Sequence, residues 1–158
     1  GSLGIEALSR GAQCGLFIDS DIQAVRIIKD NLRRCGFVTR SNLWRVDAIR
    51  ALHHMADQPC RVDLILSDPP YGDPVVQKII DTVSTCSMLT PDGLLIIEHQ
   101  KKVSPETPET GLVLRRRKDF GDTTLSFYQP DLMPSMPLPN TSLVSPVDLP
   151  PPYSRSRR

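Results

Sequence analysis

Residues 62 to 71 read Val62-Asp63-Leu64-Ile65-Leu66-Ser67-Asp68-Pro69-Pro70-Tyr71, and their order decides the fold. An apolar run of strand length ends in a carboxylate, two prolines and an aromatic ring. Open α/β sheets bind their ligands at the C-terminal ends of such buried strands. A carboxylate oxygen and a main-chain carbonyl placed there can accept both N–H bonds of a planar amine. The amine's lone pair, otherwise delocalised into its ring, is then held toward an electrophile. Proline has no N–H to compete, and its fixed φ aims the carbonyl. The Tyr71 ring can stack on a base. The same four residues also make a common turn after a strand, so the neighbouring segments must decide between the two readings.

Upstream, Gly1-Ser2-Leu3-Gly4 runs into Ile5-Glu6-Ala7-Leu8-Ser9-Arg10 and stops at Gly11. Ile5 and Leu8 share a helical face, and Gly11 suits a helix end. A Gly-rich opening to a helix lets a ligand approach bare amides at the positive end of the helix dipole. An ordinary helix with small residues at its start would look the same. Next, Cys14-Gly15-Leu16-Phe17-Ile18 is a short strand ending in Asp19-Ser20-Asp21. A carboxylate at the end of the second strand of a nucleotide-binding unit takes ribose hydroxyls. Asp19 is assigned that part and Asp21 the cap of the following helix.

The rest of the chain alternates. Residues 21 to 35 read as an amphipathic helix with Ile22, Val25, Ile28 and Leu32 inward. A strand follows at 42–46, a helix at 47–56 with Ala48, Leu52 and Met55 inward, and the strand at 62–67. A helix at 73–88 opens on Asp73-Pro74. After a Pro91-Asp92-Gly93 turn comes a strand at 94–98. A hairpin at 111–118 and 123–129 turns at Phe120-Gly121-Asp122. Alternating helices and strands predict a parallel sheet with helices on both faces, closed by an antiparallel hairpin.

These segments resemble the RsmD family of S-adenosylmethionine-dependent methyltransferases. The similarity rests on GSLGIEALSRGA (1–12), FIDSD (17–21), DPPY (68–71), GLLIIEH (93–99) and FGDTTLSFY (120–128), in the family's order and spacing, and spans roughly residues 1 to 129. The resemblance implies a Rossmann-like class I methyltransferase fold. It also implies methyl transfer to the exocyclic N2 amine of a guanine in small-subunit ribosomal RNA. Carried over position by position, the catalytic residues are Asp68, Pro69, Pro70 and Tyr71. The cofactor residues are Gly1, Ser2, Gly4, Asp19, Ser20, Asp47 and Ala48. Asp47 is also a natural cap for the helix it precedes. The expected partner is ribosomal RNA or the small ribosomal subunit, and the expected protein is cytoplasmic and monomeric, without metal. Family members carry an earlier strand with an acidic residue and the first glycine of the cofactor loop, whereas this chain opens at the second. The expectation is therefore an incomplete domain lacking its first, central strand. Two other functions fit the motif: a DNA adenine-N6 methyltransferase, for which no target-recognition region is visible, and an inactive RNA-binding fragment. Methylation of a protein glutamine is a third, although Asn usually replaces Asp68 there.

Composition narrows the classes further. The chain has 158 residues, 39% hydrophobic and 23% charged, which suits a single domain. No run approaches the roughly 20 apolar residues of a membrane span. Cys14, Cys35, Cys60 and Cys86 form no Cys-x-x-Cys pair, so reduced structural thiols are expected rather than zinc ligands. His53 and His54 are adjacent and cannot share a metal-binding helix face. Glu98-His99 is left unassigned, because water can take the amine's proton. Residues 1–129 hold sixteen basic and sixteen acidic side chains, so positive potential for RNA must be local. Arg115-Arg116-Arg117-Lys118 is the leading patch, with Lys101-Lys102 and Arg33-Arg34 behind it. Charges on an edge strand also serve solubility alone. From Pro130 the composition breaks: eight of the fifteen prolines fall in 130–152. Residues 130–158 read as a disordered tail after a methyltransferase domain of 1–129.

Overall fold

Helix and strand alternate in the order α1 (Ser2–Ser9), β1 (Gly15–Asp19), α2 (Ile22–Arg34), β2 (Ser41–Arg45), α3 (Ala48–Ala56), β3 (Val62–Ser67), α4 (Val75–Cys86) and β4 (Leu89–Gln100). The hairpin β5 (Leu112–Phe120) and β6 (Thr123–Pro130) closes the series. This computed structural model describes residues 1–70, 74–131 and 144–152. The α/β architecture is the one expected. The chain divides into two units, Gly1–Cys60 with the C-terminal segment and Arg61–Ser142. Each carries its own sheet.

In the first unit β1 and β2 are parallel, with Gly15 opposite Ser41 and Asp19 opposite Arg45. One face carries Phe17 and Leu43, and here Leu8, Ile28 and Leu32 close the core, with Ile5, Ala12 and Phe37 packed around them. These are the helical stripes of α1 and α2 legible in the sequence. The other face carries Trp44, edge-on to His54 of α3 at 5.6 Å. Both α1 and α2 end alike. The Ala12 N–H reaches the Ala7 carbonyl at 3.0 Å and the Phe37 N–H reaches Leu32 at 2.9 Å. Gly11 and Gly36 sit at φ +108° and +73°. That is the left-handed helix stop for which glycine has no Cβ penalty.

The second unit has strand order β3-β4-β6-β5. β3 and β4 are parallel, while β4/β6 and β5/β6 are antiparallel. Leu95, Ile97 and His99 are buried and their neighbours only half so. Val76, Ile79, Ile80 and Val83 of α4 are buried too, and α4 lies against β4 and β5 on this face. The helix ends at Ser87, which takes φ +46° without being glycine. The Pro91-Asp92-Gly93 turn does not precede the strand but interrupts it. Val62 pairs with Leu89, and the next regular pair is Leu64 with Leu94. The apolar Leu89 had already joined the sheet, so the turn residues loop out as a bulge.

The tail reading needs correction for residues 144–152, which are packed on the first unit. The Asn42 side chain donates to the carbonyls of Val147 at 3.1 Å and Leu149 at 2.9 Å. His54 Nε2 meets the Pro150 carbonyl at 3.0 Å, and the Val144 amide donates to Pro59 at 2.8 Å. Leu149 is 3% exposed. Prolines bring carbonyls but no donors, so two polar side chains and one apolar anchor suffice to hold the segment. Composition averages over 130–158 cannot register a single anchor. Residues 132–143 and 153–158 of that reading lie outside the described residues.

Candidate functional site

The ligand end of the first unit is where its strands finish. Asp19 closes β1, and its carbonyl accepts the Val46 N–H at 3.0 Å. One carboxylate oxygen accepts the Asp21 N–H at 2.8 Å, which fixes the side chain at the strand end. The other oxygen has no partner among the described residues. Asp21 caps α2 by accepting the Gln23 and Ala24 N–H groups, both at 2.8 Å. Ser20 between them is exposed. Asp47 caps α3 through the Arg50 N–H at 3.1 Å, and Ala48 begins that helix. Both capping assignments therefore stand, and Asp47 keeps an exposed carboxylate.

Helix α1 returns to β1 through residues 10–14, so its first turn lies toward the Asp19 end. Its N-cap is Gly1, which has no side chain to cap that turn. Gly1 and Ser2 are exposed there. The glycines also have a packing reason. A Cβ on Gly4 would stand 2.6 Å from Phe17 Cε1, and one on Gly1 would stand 2.7 Å from Ile28 Cγ1. A side chain at either position would therefore force Ile28 or Phe17 to shift, whether or not a ligand is bound. A Gly-rich helix start and an acidic side chain fixed at the end of the strand suit a ligand with an anionic group and vicinal hydroxyls.

In the second unit β3 ends at Ser67, opposite Ile97. Asp68 follows, exposed, and its carboxylate has no partner among the described residues. Pro69 is half-buried and Pro70 exposed. Tyr71 lies outside the described residues, as does Asp73, the expected cap of α4. Beyond β4, His99 is 2% exposed and fully engaged. Its Nδ1 faces the Gln100 carbonyl at 2.9 Å, so that nitrogen carries the proton. Nε2 then accepts the Ser126 hydroxyl at 2.8 Å. This histidine holds the sheet together and is not a free base.

The basic run is divided by the strand. Arg117 turns toward the packed face and donates to Ser126 at 3.4 Å and Ser104 at 3.3 Å. Arg115 falls in the irregularity between Leu114 and Arg116. All four residues of the run, Arg117 included, are exposed. Strand alternation alone would have separated Arg117 from Arg116 and Lys118. Among the secondary patches, Lys101 pairs with Asp119 at 3.0 Å and Arg33 with Asp30 at 3.4 Å. The Asp19, Asp47 and Asp68 positions were legible as acids ending strands. Asn42, which holds the C-terminal segment, carried no signal.

A family model described as Conserved hypothetical protein 95 matches residues 1–129. The putative rRNA methyltransferase YlbH of Bacillus subtilis is 36% identical over 131 residues, covering 82% of this chain and 70% of that protein. The ribosomal RNA small subunit methyltransferase D of Haemophilus influenzae is 28% identical over 131 residues, covering 82% and 66%. A solved structure of a conserved hypothetical protein from Streptococcus pyogenes superposes with a TM-score of 0.74 at 26% identity, covering 83% of this chain and 80% of that one. The chain spans 60–70% of the length of the curated relatives it matches.

Proposed function

Because the chain belongs to the Conserved hypothetical protein 95 family, a family whose named relatives are ribosomal RNA methyltransferases, we infer the activity of the complete protein. It transfers a methyl group from S-adenosylmethionine to the exocyclic N2 amine of a guanine in small-subunit ribosomal RNA. The observation that carries this reading is Asp68, an exposed strand-end carboxylate without a partner among the described residues, directly before two prolines. The relatives' names support RNA as substrate, and the motif supports a planar amine within it. RNA or the small subunit as partner, cytoplasmic action and a monomeric state belong to the same proposal.

When bound, S-adenosylmethionine supplies an electrophilic sulfonium methyl. The chain's own residues do the rest. Asp19 accepts ribose hydroxyls through the oxygen that the Asp21 amide leaves free. The first turn of α1, at Gly1, Ser2 and Gly4, offers N–H donors to the cofactor's carboxylate. Ser20, Asp47 and Ala48 complete the binding set at the strand ends. Asp68 and the Pro69 carbonyl accept the two N–H bonds of the guanine amine and leave its lone pair unbonded. Pro70 keeps the loop free of a competing N–H. Tyr71 is assigned to stacking on the base, which must first leave its own stack. The proton released from the amine passes to water.

The test uses the complete protein, labelled cofactor and small-subunit ribosomal RNA. Nucleoside mass spectrometry should find N2-methylguanosine. Asp68→Ala should slow transfer while cofactor affinity stays within a few-fold. Losing one positioned acceptor costs about 2–4 kcal/mol in the barrier, by analogy with an oxyanion-hole donor. Full turnover by this variant would remove Asp68 from the mechanism. Label found on adenine would move the substrate to another class.

A further inference from the structure

We propose that Arg116, Lys118 and Phe120 on β5 form a stacking platform for an unpaired base of the RNA substrate. The inference rests on the RNA reading above and adds to it a residue, Phe120, and a mode of contact. β5 is the outer strand of its sheet. Arg116 lies opposite Phe127, Lys118 opposite Leu125 and Phe120 opposite Thr123, so these side chains share one face. Arg117 and Asp119 lie opposite Ser126 and Thr124 and point to the other face.

Phe120 is 50% exposed, and the Lys118 Nζ stands 4.8 Å from its ring centroid. The Lys101 N–H donates to the Asp122 carbonyl at 2.8 Å. That bond ties the end of β4 to the hairpin turn, and the next residue, Lys102, is exposed. Glu98, opposite Leu125, is the acidic side chain on the same face, two strands inward. Arg116 forms no ion pair with any described residue.

Edge protection accounts for the charges, since cations on an outer strand discourage pairing with another chain. It does not account for a phenyl ring left half in water at the tip. A ring flanked by cations at an edge suits a base, which offers a π-face and trails an anionic backbone. A single-stranded or looped RNA segment has both features.

The complete protein can be titrated with a fluorescently labelled single-stranded RNA oligonucleotide, and binding read by anisotropy at several salt concentrations. Phe120→Ala should weaken binding roughly tenfold, the scale of one base–aromatic stack, without changing the salt dependence. Phe120→Trp should restore affinity. Arg116→Ala and Lys118→Ala should each flatten the slope of log K against log salt by about 0.7, the share of one phosphate contact on a single strand. Lys29→Ala, on the exposed side of α2, should change neither. Phe120 is half-exposed, so its variants should melt as the parent does. Binding by Phe120→Ala within twofold of the parent overturns the platform even if methyl transfer is intact. So does self-association of the parent that Lys118→Glu relieves without any effect on RNA. If the parent binds RNA through these residues but methylates nothing, the platform stands and the methyltransferase reading falls.

Discussion

Asn42→Ala removes the two hydrogen bonds that hold the main chain of residues 147 and 149. Each such bond contributes about 0.5–1.5 kcal/mol net, so the two together hold the segment by about 1–3 kcal/mol. Leu149, 3% exposed, adds an apolar anchor whose truncation costs about 2–5 kcal/mol where the site cannot relax. Here it can relax, because the whole segment can lift into water. Neither loss can therefore exceed the free energy of docking. The double variant Asn42→Ala, Leu149→Ala should consequently lose less than the sum of the single losses. Melting temperature should fall by about 2–4 °C for each kcal/mol lost. Cys60 provides a second readout. It is 4% exposed, and burial, then the neighbouring Cys14, push its thiol above the ordinary range. It follows Pro59, whose carbonyl accepts the Val144 amide. Undocking should therefore admit an alkylating reagent. Mass spectrometry should show Cys60 labelled faster in Asn42→Ala by a factor of about 5–150, matching 1–3 kcal/mol of lost docking. Labelling at the parent rate with an unchanged melt would show that the segment does not dock in solution.

Asp19→Ala should weaken S-adenosylmethionine binding to the complete protein at least tenfold by calorimetry, because charge-assisted hydrogen bonds contribute about 1.5–3 kcal/mol. Unchanged affinity would leave Asp19 with only its bond to the Asp21 amide. Gly4→Ala should destabilise the fold by about 1–3 kcal/mol through overpacking against Phe17. A denaturant melt matching the parent would mean that α1 can step away from β1 without cost. The Thr124 hydroxyl, and then the Lys101 ammonium, hold the Asp119 carboxyl below its usual value of 3.8. A depressed folded-state value means its stabilisation is present above the unfolded value and lost as pH falls through the folded one. Carboxyl NMR should therefore place the Asp119 midpoint below 3.8, and hairpin cross-peaks should weaken as pH falls through that midpoint. A midpoint at or above 3.8 would contradict the Thr124 and Lys101 contacts.

The elements that the sequence made legible are those whose signal is local. Apolar runs marked β1 and β3, and a 3.6-residue stripe marked α2 through Ile28 and Leu32. Asp21 and Asp47 announced their helices by position. Asp19 and Asp68 stood out because acids at strand ends have no core to enter. What stayed hidden depends on partners distant in sequence. Pro91-Asp92-Gly93 reads as a turn, and only its pairing with β3 reveals a bulge within a longer strand. Arg117 looks like its neighbours until Ser104 and Ser126 claim its guanidinium. Asn42 meets a segment more than a hundred residues away, and no periodicity carries such information. Gly1 and Gly4 were noticed for their bare amides, yet their crowding against Ile28 and Phe17 appears only once α1 is docked.

Trp44 is the one tryptophan of the chain, 1% exposed and edge-on to His54. His54 in turn meets the Pro150 carbonyl. The indole is thus two contacts from the C-terminal segment, and its emission is an optical gauge of that contact. With the segment seated, the imidazole is held edge-on to the buried indole, and the emission should be blue-shifted. If the segment lifts, His54 is freed to reorient and water gains access, so the emission should shift red and its quenching should change. No dye or engineered residue is required to follow the opening in a stopped-flow cell.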